Sequence, residues 1–193
     1  MKAKVFKRLV FLGLFASLLS GCQSIDRAKL QKIKETDQSR RHALIHCSGT
    51  LDCQFERLDD TVIVESSNSR VDSEAIKHGL VRLKAKSLKD PHALYLSVPA
   101  GIHEVVVRFY PVSRDKAETI HVIHRFDKSK HYQLDMFRDR SSNNGKSLLD
   151  VSAPDPLCVD LKQDHKTIRR FCKAYNTLNG LGEFVEQKQF KPR

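Results

Sequence analysis

The residues with the most chemistry open to them are five cysteines and nine histidines. Cys22 closes an apolar run, and Cys47, Cys53, Cys158 and Cys172 lie beyond it. In an exported chain, an even set of four reads as two disulfides. Of the three possible connectivities, the two local pairs are favoured, Cys47 with Cys53 and Cys158 with Cys172. By loop-closure entropy these bridges would contribute about 2 and about 3 kcal/mol. The sequence contains no Cys-x-x-Cys, which leaves a thioredoxin-like redox motif without support. The cysteine spacing is not that of a zinc site. His121 and His124 would be neighbours on a helix, but on a strand they point to opposite faces. His103, His121 and His131 could meet across hairpins in a suitable register, and His42 and His46 sit just before Cys47. Scattered surface histidines are the plainer expectation, with no metal site and no cofactor. Gly-x-Ser-x-Gly, His-Glu-x-x-His and the P-loop are all missing from the sequence. Asp59 and Asp60 abut, so they suit a solvated turn better than an acid–base pair. No catalytic residue is expected, and the chain does not read as an enzyme.

The N-terminus explains Cys22. Met1 to Arg8 carries Lys2, Lys4, Lys7 and Arg8 and no acid, and Leu9 to Leu19 is an apolar run. That run suits the hydrophobic region of a secretion signal and falls short of the about 20 residues a spanning helix needs. Leu19-Ser20-Gly21-Cys22 resembles the lipobox of bacterial lipoproteins, an aliphatic residue and two small ones before an obligatory cysteine. The resemblance implies a diacylglyceryl group on the Cys22 thiol, cleavage before Cys22, and acylation of the new amine, for example with palmitate. Ser20 and Gly21 are small enough to let a peptidase reach the backbone, and the thiol is the nucleophile that accepts the lipid. Two or more acyl chains anchor durably where one is marginal. In Gram-negative lipoproteins Asp after the cysteine retains the protein in the inner membrane. Gln23 therefore implies a lipid anchor in the outer membrane, with the domain facing the periplasm.

Removal of 21 residues from 193 leaves 172, enough for one domain and a tether. The signal holds four of the formal +11 charges, which leaves +7, with small clusters at Arg40-Arg41 and from Lys166 to Lys173. Outside the cytosol such a surface would meet anionic envelope polymers and head groups, not nucleic acid. Residues 22–42 read as the lipidated terminus and a polar tether. Ser24 to Arg41 suits either a loosely helical stalk or a disordered tether; as a flexible coil, its roughly 18 residues would hold the domain on the order of 20–25 Å from the membrane.

The fold class expected is mainly β, an antiparallel β-sandwich with a short C-terminal helix. Residues 43–140 form the antiparallel domain, and residues 141–193 a disulfide-stapled extension packed on it. Thr61 to Glu65, Leu80 to Lys84, Ala93 to Val98, Glu104 to Tyr110, Glu118 to Asp127 and His131 to Arg138 read as strands. Ile120, Val122, His124 and Phe126 share one face, and Tyr132, Leu134 and Met136 another. The intervening turns at Pro99 to Gly101, Ser113 to Asp115 and Asp127 to Lys130 are hairpin-length, which argues for antiparallel pairing. Ser141 to Lys146 reads as a loop and Ser147 to Ser152 as a last strand. Asp160 to Tyr175 shows helical spacing through Leu161, Ile168, Cys172 and Tyr175, with Asp160 as its cap.

Val98 to Tyr110 resembles a recurrent hairpin of PEGA-type and related small envelope-lipoprotein domains. Pro99, Gly101 and His103 lead into Val105, Val107 and Phe109, and Lys130, Tyr132 and Leu134 resemble a later aromatic strand. Gly101 has a local reason, because its turn position calls for positive φ. The resemblance covers about a quarter of the chain and implies a fold without implying any catalytic residue. The function these features favour is a non-catalytic accessory lipoprotein, binding or scaffolding an envelope protein. One alternative is an assembly lipoprotein of a secretion or pilus machine, since the outer-membrane lipoprotein of type VI secretion systems is similar in size, lipid and fold class. The other is a periplasmic hydrolase or metal-binding protein.

Overall fold

Alternation of buried with more exposed side chains runs along Ala43–Ser48 and His131–Arg138 and through much of Lys116–Phe126. In a computed structural model, residues 39–84, 92–140, 154–173 and 182–190 are described, with positions 28, 30, 31, 33, 36 and 37. A short 3-10 turn, Ser39–Arg41, leads into β1 (Ala43–Ser48), β2 (Asp52–Leu58) and β3 (Thr61–Val62). A single helical turn, α1 (Ser73–Lys77), precedes β4 (Val81–Leu83) and β5 (Leu94–Val98). Three longer strands follow, β6 (Gly101–Ser113), β7 (Lys116–Phe126) and β8 (His131–Arg138). The chain closes with β9 (Leu157–Gln163), β10 (Lys166–Lys173) and the two-residue β11 (Val185–Glu186). Among the described residues no helix is long and apolar enough to cross a membrane. The expected strand at Ser147 to Ser152, its preceding loop, and the signal with Cys22 lie outside the described residues.

The strands form two sheets, a seven-stranded one ordered β11-β10-β9-β8-β1-β5-β4 and a four-stranded one ordered β3-β2-β6-β7. Buried residues of both sheets belong to one apolar cluster. The faces follow the sequence pattern. Ile120, Val122 and Phe126 are buried on β7 while His121, Ile123 and Arg125 are exposed, and Tyr132, Leu134 and Met136 are buried on β8. The core also reaches upstream, because Leu30 is buried in it and Ile33 packs against it.

Three expectations are corrected. First, pairing is not antiparallel throughout: β1 runs parallel to β8, with Ile45 opposite Tyr132 and Cys47 opposite Leu134. Second, two of the three short links do not make hairpins. Pro99 to Gly101 carries the chain from the large sheet to the small one, and Asp127 to Lys130 carries it back; only Ser113 to Lys116 closes a hairpin. Gly101 has φ +148° at the first crossing. At the second, the Tyr132 ring stands edge-on to Phe126, centroids 5.0 Å apart, and its hydroxyl accepts the Asp127 N–H at 3.0 Å.

Third, the described residues of the helix expected at Asp160 to Tyr175, as far as Lys173, are strand and turn. Residues 157–173 form the β9–β10 hairpin, and the described helix α1 lies mid-chain. The two-residue turn at Asp164-His165 has φ +46° and +72°, the left-handed pair a tight hairpin requires. A bulge between Thr167 and Arg169 breaks the two-residue period and leaves the four-residue spacing that mimics a helix. Helix α1 is too short to show a period. It is set by its ends: Asp72 accepts the N–H groups of Glu74 and Ala75, and Leu80 and Gly79 donate back to the Ala75 and Ile76 carbonyls.

Both local cysteine pairs are bonded. Cys47–Cys53 joins β1 of the large sheet to β2 of the small one, and Cys158–Cys172 joins directly opposed residues of the β9–β10 hairpin. The loop inside the first bridge passes close over β8. Gly49, at φ +92°, leaves no room for a side chain, since a Cβ there would lie 2.0 Å from the Met136 carbonyl oxygen.

Polar groups close one flank. Arg169 forks onto Glu186 at 2.6 and 2.7 Å and donates to the Ile123 carbonyl at 2.6 Å, while Lys173 meets Glu118 at 2.7 Å. These bonds join β10 and β11 of one sheet to β7 of the other. Beneath them Asp160, fully buried, accepts two bonds from Arg170 at 2.6 and 2.9 Å and one from Thr167 at 3.3 Å. The Arg170 guanidinium also lies over the Phe137 and Phe190 rings, 4.9 and 5.1 Å from their centroids. Deleting one partner strands a charge in the core, whereas replacing both with apolar groups does not. Asp160→Ala is expected to lose about 3–5 kcal/mol in urea unfolding, and Asp160→Ala with Arg170→Met to regain most of it. Equal losses in the two variants would refute the stranded-charge account.

Candidate functional site

A basic cleft lies where the N-terminal segment reaches the sheets. Its volume is about 260 Å³, and it is lined by Ser39, Arg40, His42, Leu44, Arg82, Ser129, Lys130 and His131. Three separate stretches supply these residues. The 3-10 turn is fixed by Thr36 and Ser39, which exchange hydrogen bonds between hydroxyl and backbone N–H at 3.0 and 3.1 Å. The β7–β8 turn is strapped to it through Ser129 N–H to the Arg41 carbonyl at 3.0 Å and Leu44 N–H to the Lys130 carbonyl at 2.9 Å. Strand β4 supplies Arg82.

The lining is one-signed. Arg40, Arg82 and Lys130 are cations, and the two histidines and two serines add further donors. Among the described residues the lining includes no carboxylate. Asp164 approaches Lys130 from outside the lining at 2.7 Å, and this bond holds the Asp164 carboxyl below its ordinary range and raises the Lys130 ammonium. The His42 ring is fixed by a 3.0 Å hydrogen bond between Nδ1 and the buried Ser97 hydroxyl. Burial lowers the His42 pKa first, and the charges of Arg82 and His103 lower it further. Such a cleft suits an anion.

The remaining histidines are dispersed by the strand register. His103 stands opposite His124, and His121 opposite Val106. His103 Nδ1 lies 2.7 Å from Asp59, and His121 Nδ1 2.8 Å from Glu104, which Arg57 also binds at 2.8 Å. The His121 hydrogen bond lowers the Glu104 pKa, and the pair is a hydrogen-bonded contact on the sheet surface. Among the described residues no three His, Cys, Asp or Glu side chains are grouped to hold a metal ion. A second hollow of about 180 Å³ beside α1 is mixed in sign, with Glu65, Arg70 and Asp72 in its lining.

The four disulfide-bonded cysteines serve the fold and stand apart from the cleft lining. Leu19, Ser20, Gly21 and Cys22 lie outside the described residues. Of the cleft cations, only Arg40 belongs to a cluster marked in the sequence. Arg82 and Lys130 lie far from it in sequence and join it through pairing of β1 with β8 and of β5 with both β1 and β4. Comparison with known proteins finds no matching family model, no matching curated protein and no matching solved structure.

His46, on β1, is shifted well out of its ordinary range. Burial, then the Lys84 charge, lower its pKa to about 4, against a hydrogen bond with the Tyr132 backbone that raises it. The unfolded chain therefore takes up a proton near pH 6.5 that the folded chain refuses until about pH 4. Stability is expected to fall as pH drops through that window and to level off below it. His46→Gln should make the slope shallower in urea unfolding at stepped pH; an unchanged slope would assign the loss to other groups.

Proposed function

We propose that this chain is an exported, lipid-anchored accessory protein of the bacterial envelope, a non-catalytic module that binds or scaffolds another envelope component. The observation that carries the reading is the pair of disulfides in the folded domain, since such bonds persist in oxidising compartments. The basic start, apolar run and Leu19-Ser20-Gly21-Cys22 sequence support it independently, by resemblance to lipoprotein signals. On this reading Cys22 carries the acyl chains, Gln23 directs the protein to the outer membrane, and the domain faces the periplasm. The two sheets are then the facing layers of a β-sandwich, a reading supported by the apolar cluster they share. Binding is favoured over catalysis because the basic cleft offers cations and donors without an acid–base pair among the described residues.

Mass analysis of the protein extracted from membranes tests this directly. The expected product begins at Cys22, carries acyl groups, and shows no reactive thiol when denatured without reductant. Cys22→Ala should remain an unlipidated precursor. Normal acyl labelling of that variant, or four reactive thiols in the wild type, would overturn the proposal.

A further inference from the structure

We propose that the cleft between Arg40, Arg82 and Lys130 is a phosphate-binding site, which takes the phosphate of an anionic head group at the surface of the membrane that carries the chain. The membrane half of this inference rests on the anchored reading given above; the phosphate half rests on the cleft alone.

Phosphate chemistry fits the lining. A guanidinium presents paired donors to phosphate oxygens, an ammonium acts as a compact point charge, and serine hydroxyls complete the shell. Arg40, Arg82, Lys130, Ser39 and Ser129 supply all three kinds of group. Lys130 gives one direction of its ammonium to Asp164 and, having three N–H donors, keeps others for the cleft. Arg40 has an ion pair with Asp37 at 3.5 Å on open surface, a weak competitor for a desolvated phosphate. His42 is held through Nδ1 by Ser97, which leaves Nε2 as the nitrogen to meet a ligand. The volume, about 260 Å³, suits a phosphate with a small substituent better than a large apolar ligand.

Placement points to the membrane. A Cβ built on Gly79 would lie 3.6 Å from Arg82 Nη1 and 3.9 Å from Ile33 Cγ2, so the N-terminal segment packs beside a wall of the cleft. Leu30, three residues before Ile33, is buried in the core. Only eight chain steps separate it from Cys22 in the sequence, which bounds the reach from core to anchor at about 29 Å even for a fully extended chain. A basic cleft on that end is held near the anionic surface, where clustered Arg and Lys gain from the local potential.

The test is calorimetric titration of the full protein, isolated from membranes in a nonionic detergent, with two probes: inorganic phosphate and dihexanoyl phosphatidylglycerol. Saturable binding at one site per chain is expected, weakening as salt rises. Arg82→Gln with Lys130→Gln should weaken it by about tenfold or more, and Lys130→Gln alone, at an exposed position, should weaken it in the same direction. Arg114→Gln, which removes one cation at the β6–β7 turn, should leave it unchanged. Tighter binding of the lipid probe than of inorganic phosphate supports the membrane as the source. Equal binding of the two supports the phosphate site and overturns its assignment to a head group. No saturable binding, or binding that the cleft variants leave intact, overturns the site. Acyl mass at Cys22, read on the same sample, separates a failure of the anchor from a failure of the cleft.

Discussion

A covalent bond between the sheets constrains much of what surrounds it. Cys47 lies on β1, inside the large sheet with β8 on one side and β5 on the other, and its partner Cys53 begins the long β2 of the small sheet. With that bond closed, the intervening loop has to turn sharply over β8, and Gly49 is the residue that lets it pass. At its other end the same β1 positions His42 and Leu44 in the wall of the basic cleft. One strand thus connects the sulfur bridge, the core and the candidate binding surface. The loop-entropy contribution of so small a ring is modest, about 2 kcal/mol. Its larger effect is geometric, because it sets which residues of the two sheets lie together.

The charges divide into two populations with different physics. Asp160 and Arg170 are buried, doubly hydrogen-bonded and sandwiched by aromatic rings, so each depends on the other. Lys173–Glu118 and the Arg169 fork lie nearer water and hold the flank shut across the two sheets. The cleft cations belong to neither group, since their arrangement concentrates one sign of charge in a hollow. The positive charge read from the composition is therefore unevenly distributed: part is buried in the core, part holds the flank, and part lines the hollow.

How much of this was legible from residues alone depended on the range of the information. The bounds of β8 and the buried faces of β7 and β8 follow from a two-residue period, a local property that survives in the fold. Both disulfides follow from counting and from short separations. The parallel pairing of β1 with β8 joins residues more than eighty apart, and no nearby pattern announces it. The β9–β10 hairpin was masked by its own chemistry: Asp160 and Arg170 are polar where the core side would be apolar, and the bulge near Ile168 shifts the period. The links at Pro99 to Gly101 and Asp127 to Lys130 have hairpin lengths, but length alone does not distinguish a return within one sheet from a step between two. The cleft was legible only in part, through Arg40 and Arg41, because its other cations arrive by strand order.

The clasp at Ile123 bears on how the protein can be joined by others. Strand β7 is the outermost of the small sheet, eleven residues long, and a bare edge of that length would invite a foreign strand to add to it. Here the Ile123 carbonyl already accepts from Arg169, whose guanidinium is in turn gripped by Glu186. An incoming backbone would have to evict a charged, doubly tethered side chain before it could start a ladder. Association by sheet extension is thereby discouraged on that border, and recognition is left to side-chain surfaces whose chemistry can discriminate among partners.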